Sequence, residues 1–224
     1  MLSIIIPTYN EEKYLPTLLE SIKDQDFKEY EIIVADNNSK DNTRQIAKKF
    51  SCRIIKGGLQ SIGINNAAKV AENNILLILD ADASLPKGFL KKNLTVFRGK
   101  NLDVASCYIK PRNAKIIDEI THMLSNLYYF SIKRISPFIP SFCFFIKREF
   151  FFKVGCFDEK IPWLIDLAFS NNLSKETKND ILPVHVELSI RMAYRLGRFK
   201  QTKLMFLAGF LRLLKKNYYG KYEY

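Results

Sequence analysis

Two carboxylates, Asp80 and Asp82, stand two positions apart at the end of an unbroken apolar run, residues 75–79. The run is too short to cross a bilayer, and no polar face alternates with it. It reads as a strand buried on both sides, the habit of a parallel sheet. Open α/β sheets bind ligands just beyond the carboxyl ends of such strands. Two carboxylates there repel each other unless a cation lies between them. A divalent cation carrying a diphosphate would meet that need, because hard cations take carboxylate and phosphate oxygens together. The competing reading is a turn, with Asp82 capping a helix that starts near Pro86 and Asp80 solvated. On this segment alone both readings stay open.

The elements that would position the pair precede it at regular intervals. Residues 2–6 form a short apolar strand that Pro7 ends, and residues 7–12 turn into a helix with Leu15, Leu18, Leu19 and Ile22 at helical spacing. Residues 30–35 form a second strand closing on Asp36. The polar run 36–43 is a loop, and Asp41 is placed to cap the helix through Lys49. Residues 53–55 are a third strand, Gly57-Gly58 a loop, and 64–71 a helix rich in small residues. Three rounds of strand and helix predict a mostly parallel sheet with helices on both faces. After Asp82 the pattern loosens. A helix around Phe89, Leu90, Leu94 and Phe97 leads to a strand over 104–109 and a helix over 116–133, which Pro137 and Pro140 end. An aromatic strand over 141–146, a short helix over 147–154, a loop over 155–162 and a helix over 163–172 follow. With no low-complexity linker and no internal repeat, this is one domain. Its first half is of nucleotide-binding type, and its second half could hold another substrate.

Composition narrows the class. The chain has 224 residues, and 47% of them are apolar, which argues against disorder. No stretch reaches the roughly 18 uninterrupted apolar residues of a spanning helix. The start lacks the features of a signal peptide. Cys52, Cys107, Cys143 and Cys156 form no C-x-x-C pair and read as reduced thiols of a cytoplasmic protein. His122 and His185 stand alone and read as structural or exposed. Trp163 reads as packing.

Net charge is +12, and residues 191–224 hold nine Lys or Arg against one Glu, a net of +8. Arg191, Arg195 and Arg198 would share one helical face there. Leu204, Leu207, Leu211 and Leu214 would form an apolar stripe widened by Phe206, Phe210 and Leu213, with Arg212, Lys215 and Lys216 at its far end. Such a basic amphipathic helix is expected to lie peripherally on an anionic membrane, at its inner face. The competing uses are docking on the domain's own core or forming a homo-oligomer. Aromatic residues interleave with the basic ones, but no nucleic-acid-binding motif accompanies them, so no nucleic-acid partner is expected.

Four segments, in order, resemble family 2 glycosyltransferases. Residues 4–12, Ile-Ile-Ile-Pro-Thr-Tyr-Asn-Glu-Glu, are similar to that family's opening strand and turn. Residues 32–43 resemble its "IIVVDDGSTDGT". Leu79-Asp80-Ala81-Asp82 followed by Leu85-Pro86 looks like its D-x-D strand end. Lys147-Arg148, Phe151, Val154-Gly155 and Phe157-Asp158-Glu159 resemble its "RR..F..VGGFDE". Together they cover about residues 2–160.

The resemblance implies a GT-A fold, a Rossmann-like α/β sheet, with a helical C-terminal tail. It implies a nucleotide-sugar donor, Mg²⁺ or Mn²⁺, and inversion at the anomeric carbon. Residues 1–188 would be the catalytic domain, 1–100 holding the nucleotide sugar and 101–188 the acceptor, a lipid phosphate or a glycan. Residues 189–224 would be the tail. Pro7, Thr8, Tyr9, Glu11 and Asn65 would border the donor. Asp36 would accept an N–H from a uracil or guanine base, Asp80 would hold ribose and metal, and Asp82 the metal.

The departures carry information. Asn37 and Asn38 replace the second Asp and the Gly of "DDGS"; Asn tolerates positive φ, so the turn survives. Ile64 takes the place of an Arg, removing a cation that could face the diphosphate. The family's Glu-Asp base falls at Trp163-Leu164, both apolar, which leaves Asp166 or Asp158 as a base from a shifted position. A phosphate acceptor, already anionic, would need no base. A non-catalytic nucleotide- or glycan-binding protein is the alternative. A nucleotidyltransferase would want a basic, Gly-rich loop after the first strand, and residues 7–10 are neither.

Overall fold

The computed structural model describes residues 1–133, 138–162 and 164–198, and beyond them 200, 203, 207, 210, 211 and 214. In chain order the elements are β1 (Leu2–Thr8), α1 (Leu15–Lys23), β2 (Tyr30–Asp36), α2 (Thr43–Lys49), β3 (Arg53–Lys56), α3 (Gln60–Val70), β4 (Ile75–Leu79), β5 (Ala83–Ser84) and α4 (Phe89–Gly99). They continue with β6 (Val104–Arg112), α5 (Ile116–Ile132), β7 (Cys143–Lys147), α6 (Arg148–Lys153), α7 (Ile165–Asn171), β8 (Asn179–Ser189) and α8 (Arg191–Leu196). All strands join one sheet in the order β3-β2-β1-β4-β7-β6-β8-β5. β1, β2, β3 and β4 run parallel, as the strand-helix alternation requires, and β6 runs parallel to β8. β7 is antiparallel to both β4 and β6, and β5 to β8.

β4 is buried on both sides because its alternate residues enter two cores. Leu77 and Leu79 join the cluster containing Leu15, Leu18, Leu19, Phe89 and Phe97, while Leu76 and Ile78 join the one containing Ile64, Ala68, Phe144 and Phe169. The second core is aromatic: the rings of Phe157 and Phe169 lie 4.8 Å apart, with Phe144 and Phe151 against them. Ser61 and Gly63 in α3 are buried and small, and a Cβ on Gly63 would come 3.3 Å from the Ala35 Cβ, so α3 packs tightly against β2; the helix begins at Gln60, earlier than its apolar spacing indicates.

β8 has no counterpart among the expected elements, although Leu182, Val184, Val186 and Leu188 alternate at a strand's period of two. Pro183 interrupts the pattern, since proline cannot donate to a ladder. The fold absorbs it at a register shift between Cys107 and Ile109 on β6. Buried Asn93 of α4 completes the repair: its Nδ2 donates to the Val184 carbonyl at 3.0 Å, and its Oδ1 accepts from the Val184 N–H at 3.0 Å.

The tail departs from a single straight helix. α8 ends at Leu196, and Gly197 takes φ +82°, so Arg191 and Arg198 do not share one face. Arg198 turns back onto α5, where Nε and Nη2 donate to the two Asp118 carboxylate oxygens at 2.7 and 3.0 Å. Leu204, Phe206, Arg212, Leu213, Lys215 and Lys216, expected on the tail helix, lie outside the described residues, as does Trp163. Among the described residues no helix is long and apolar enough to cross a membrane.

Candidate active site

The carboxyl ends of β1, β2 and β4 lie side by side, Thr8 opposite Asp36 in the β1–β2 register. The two loops beyond them are stitched together. Glu11 N–H donates to Thr43 Oγ1 at 2.7 Å, Glu12 N–H to Asp41 Oδ2 at 3.0 Å, and Lys40 N–H to Asn10 Oδ1 at 2.8 Å. Asp41 also accepts from the Thr43 N–H at 3.0 Å, the capping role expected of it, although Asn42 is the N-cap residue by position. Asn38 adopts φ +57°, the left-handed turn its side chain permits. Gly57 lies behind this turn; a Cβ there would come 2.7 Å from the Ala35 carbonyl oxygen, so only glycine fits. Tyr9, Asn37, Asn38 and Lys40 line an open depression of about 490 Å³ at this edge.

Asp36 sits beneath the depression and faces inward. It is 5% exposed, its Oδ1 accepts from Thr8 Oγ1 at 3.1 Å and Ser39 Oγ at 2.5 Å, and its Oδ2 accepts from the Ser39 N–H at 3.1 Å. These bonds order the loop on which a planar ligand would rest.

The β4 strand end holds the acidic pair. Asp80 accepts from Gln60 Nε2 at 2.9 Å through Oδ1, and its backbone N–H donates to the Phe142 carbonyl. The chain then turns, Ala83 N–H bonding back to the Asp80 carbonyl, and β5 pairs with the end of β8. That pairing delivers Ser189 and Arg191 to the site. Ser189 Oγ donates to Asp82 Oδ2 at 2.5 Å, and Arg191 Nε lies 2.7 Å from the same oxygen. Arg191 Nη1 meanwhile donates to both Glu11 oxygens, at 2.9 and 2.7 Å, and its guanidinium lies over the Tyr14 ring at 5.0 Å. One cation from the C-terminal part of the sequence therefore holds two carboxylates of its first half. The spacing in the sequence puts Arg191 on one helical face with Arg195 and Arg198; in the structure it is a cation of this site.

The electrostatics follow from that geometry. Burial pushes Asp80 above the ordinary carboxylate range, the Asp82 and Glu11 charges push it further, and Arg191 opposes both. Burial also raises Glu11, against the lowering effect of Arg191. The same carboxylates raise the Arg191 guanidinium, so it stays charged. Ile64, in the place where the family carries an arginine, is fully buried in the core, and the positive charge comes from β8's end instead.

Asp166 lies in the first turn of α7, after Leu164 in the left-handed conformation. Burial is the main influence on it, and despite backbone N–H donors from Leu167, Asp166 and Ser141 its pKa is pushed up to about 6. Its charge adds a small upward push on Asp80. Asp158 is different: it is exposed and caps its own turn, accepting from the Lys160 N–H at 2.9 Å. Asn65 is 4% exposed, with Nδ2 on the Phe157 carbonyl and Glu159, and Oδ1 on the Phe157 N–H, so it clamps the 155–162 loop.

A divalent cation fits these residues in one way. Asp82 Oδ2 is taken by Arg191 and Ser189, and Asp80 Oδ1 by Gln60, which leaves the other oxygen of each carboxylate to offer. Among the described residues no cluster of three or more His, Cys, Asp or Glu is set to hold an ion alone. That suits an ion arriving with a diphosphate that brings most of its own ligands.

Residues 3–155 match the model of glycosyl transferase family 2. The chain belongs to glycosyltransferase family 2. Among curated family 2 relatives, the poly(ribitol-phosphate) β-N-acetylglucosaminyltransferase TarS of Staphylococcus aureus is 33% identical over 123 residues, 50% of this chain and 22% of that protein. The dolichol-phosphate mannosyltransferase of Pyrococcus furiosus is 27% identical over 66% of this chain and 46% of that protein. The chain thus spans less than half the length of these relatives. Solved structures show the same GT-A fold. TarS in complex with UDP-GlcNAc superimposes with a TM-score of 0.68 at 22% identity, covering 84% of this chain and 58% of that one. The mannosyltransferase PcManGT of Pyrobaculum calidifontis, in complex with GDP-Man and Mn²⁺, does so with a TM-score of 0.74 at 20% identity, covering 98% and 65%.

Proposed function

We propose that this family 2 chain transfers a sugar from a nucleotide-diphosphate sugar to an acceptor, with inversion at the anomeric carbon. The observation that carries the proposal is the Arg191 guanidinium held between Glu11 and Asp82, two residues from Asp80, at the carboxyl edge of the sheet. The relatives support the class of donor: one neighbour was solved with UDP-GlcNAc, another with GDP-Man and Mn²⁺.

The depression beside Tyr9 and Asn38 takes the nucleoside, with Pro7 and Thr8 forming the strand end below it. Asp80 and Asp82 face the diphosphate and offer their open oxygens to Mg²⁺ or Mn²⁺. Bound there, the ion would act as a Lewis acid, neutralising charge on the leaving diphosphate. Arg191 shares that work from the other side, its guanidinium turning from the carboxylates to phosphate oxygens. The acceptor oxygen attacks the anomeric carbon from the face opposite the diphosphate. The bond from that carbon to the diphosphate oxygen breaks with its electron pair, and the acceptor's proton passes to the Asp166 carboxylate. A pKa near 6 leaves Asp166 mostly ionised at neutral pH and still basic enough to accept a proton.

The test is turnover of a panel of UDP-, GDP-, CDP- and TDP-sugars, read as release of the free nucleoside diphosphate. One nucleotide class should be consumed, and Asp82→Asn should lower the rate at least about a hundredfold, the scale of losing one electrostatic stabiliser. Turnover of none of them, or an Asp82→Asn variant as fast as the parent, contradicts the proposal.

A further inference from the structure

α5 is turned inside out. Its inward side carries the polar residues, and they make specific bonds. Asn126 accepts from the Ile109 N–H at 3.0 Å and donates to the Ile109 carbonyl at 2.8 Å, pinning the helix to β6. Asp118 accepts from the Lys115 N–H and from Arg198, and Ser125 is buried. The outward side is apolar. Ile116, Ile120, Met123 and Leu127 follow one another at helical spacing, 76%, 44%, 61% and 61% exposed, with Ile117 and Leu124 beside them at 53% and 56%. A helix covering its own domain would show the reverse. A contiguous apolar face of this kind marks a surface that meets something apolar.

The charge around the face states what that is. Lys115 is exposed at the start of α5, and the Arg198–Asp118 ion pair draws the basic C-terminal segment against the same turn. Arg195, Lys200 and Lys203 are exposed on that segment. Of the two acids on α5, Asp118 is consumed by Arg198, which leaves Glu119. The surroundings are cationic, and the chain as a whole carries +12. A second copy would bring the same positive charge to the contact. An anionic bilayer offers apolar depth and negative headgroups together.

We infer that the outer face of α5 docks into the headgroup region of an anionic lipid bilayer, with Arg195, Lys200 and Lys203 facing the headgroups. Arg191 and Arg198 do not face the headgroups, because they are turned inward to Glu11, Asp82 and Asp118. Docking would set the donor site beside the membrane surface: the eight residues from Arg191 to Arg198 link the site to α5. Docking stands apart from the transfer chemistry; only its use, presenting a lipid-linked acceptor, rests on the function proposed above.

Vesicle flotation of the full chain tests it, with no nucleotide present, so its result is separate from that of the turnover assay. The protein should float with vesicles of mixed phosphatidylcholine and phosphatidylglycerol at low salt, and stay behind with phosphatidylcholine alone. Leu124→Glu combined with Leu127→Glu should cut flotation by at least about tenfold, since charge on the apolar face opposes insertion. Ile117→Glu combined with Ile120→Glu should do the same. Thermal midpoints within a few degrees of the parent's would show that both variants fold. Flotation of either folded variant at the parent's level overturns the inference, as does a parent that never floats. A parent that stays behind as a dimer, and becomes a monomer when α5 is charged, assigns the face to a second copy instead.

Discussion

Arg191 reaches Glu11 through both carboxylate oxygens and Asp82 through Nε, so removing its guanidinium leaves Glu11, Asp82 and Asp80 repelling one another in a partly buried site. Breaking a buried pair costs several kcal/mol, and the half-exposed guanidinium reduces that to about 2 kcal/mol for Arg191→Met near neutral pH. The sign of the pH dependence is fixed. Glu11 and Asp80 already have raised pKa values, and losing Arg191 raises them further, so the folded variant binds protons that the unfolded chain releases. The destabilisation should therefore be largest above the raised pKa values and fade as pH falls toward the ordinary carboxylate range. Urea unfolding of parent and variant across pH checks this. Mn²⁺ should restore part of the loss in Arg191→Met, because a second cation can replace the first.

Asp166 is the residue whose chemistry depends on pH. If it takes the acceptor's proton, transfer to a hydroxyl acceptor should rise as pH passes about 6 and level off above. Asp166→Asn should abolish that step, lowering the rate by about two to four orders of magnitude. Transfer that survives Asp166→Asn would place the acceptor among phosphates, which need no base.

At the scale of elements, β8 ties the two halves together, and its weak point is Pro183. Asn93 supplies both hydrogen bonds to Val184 beside the register shift. Asn93→Ala leaves that buried N–H and carbonyl unpaired, at a cost of about 2 kcal/mol. Because β8 carries Ser189 and leads to Arg191, the variant should also weaken nucleotide binding without touching the site. Thermal unfolding and nucleotide titration of the same sample check both effects. This element also marks the limit of what the sequence made legible. β1, β2 and β4 could be read because their apolar runs end at Pro7, Asp36 and Asp80, and β3 because Gly57-Gly58 follows it. β8 shows strict alternation of Leu182, Val184, Val186 and Leu188, but Pro183 within it reads as a break. α8 ends early because Gly197 adopts a left-handed conformation that spacing alone does not reveal.

For the whole molecule, what the sequence hid is long-range pairing. Asp80 and Asp82 announce themselves by standing at the end of an apolar strand, and Asp36 by ending another. Nothing local to Arg191 distinguishes it from the other basic residues of the tail. Its place is set by the β5–β8 pairing, which joins Ala83 to Leu188 across more than a hundred residues. Asn65 and Asp158 match a family pattern, yet their side chains are taken up by the loop they stabilise. Pattern identifies the neighbourhood of the site; hydrogen bonding decides which residues in it remain available to a ligand.

The account rests on a nucleoside diphosphate and a divalent cation binding together at the strand ends. Calorimetric titration of the chain with UDP, GDP, CDP and TDP, with and without Mn²⁺, tests this most directly, with Asp82→Asn beside the parent. One nucleotide should bind the parent at least about tenfold more tightly with Mn²⁺ than without, a coupling of about 1.4 kcal/mol, and Asp82→Asn should lose that gain. Nucleotide binding that ignores Mn²⁺ in both proteins, or the absence of binding by all four nucleotides, would contradict the account.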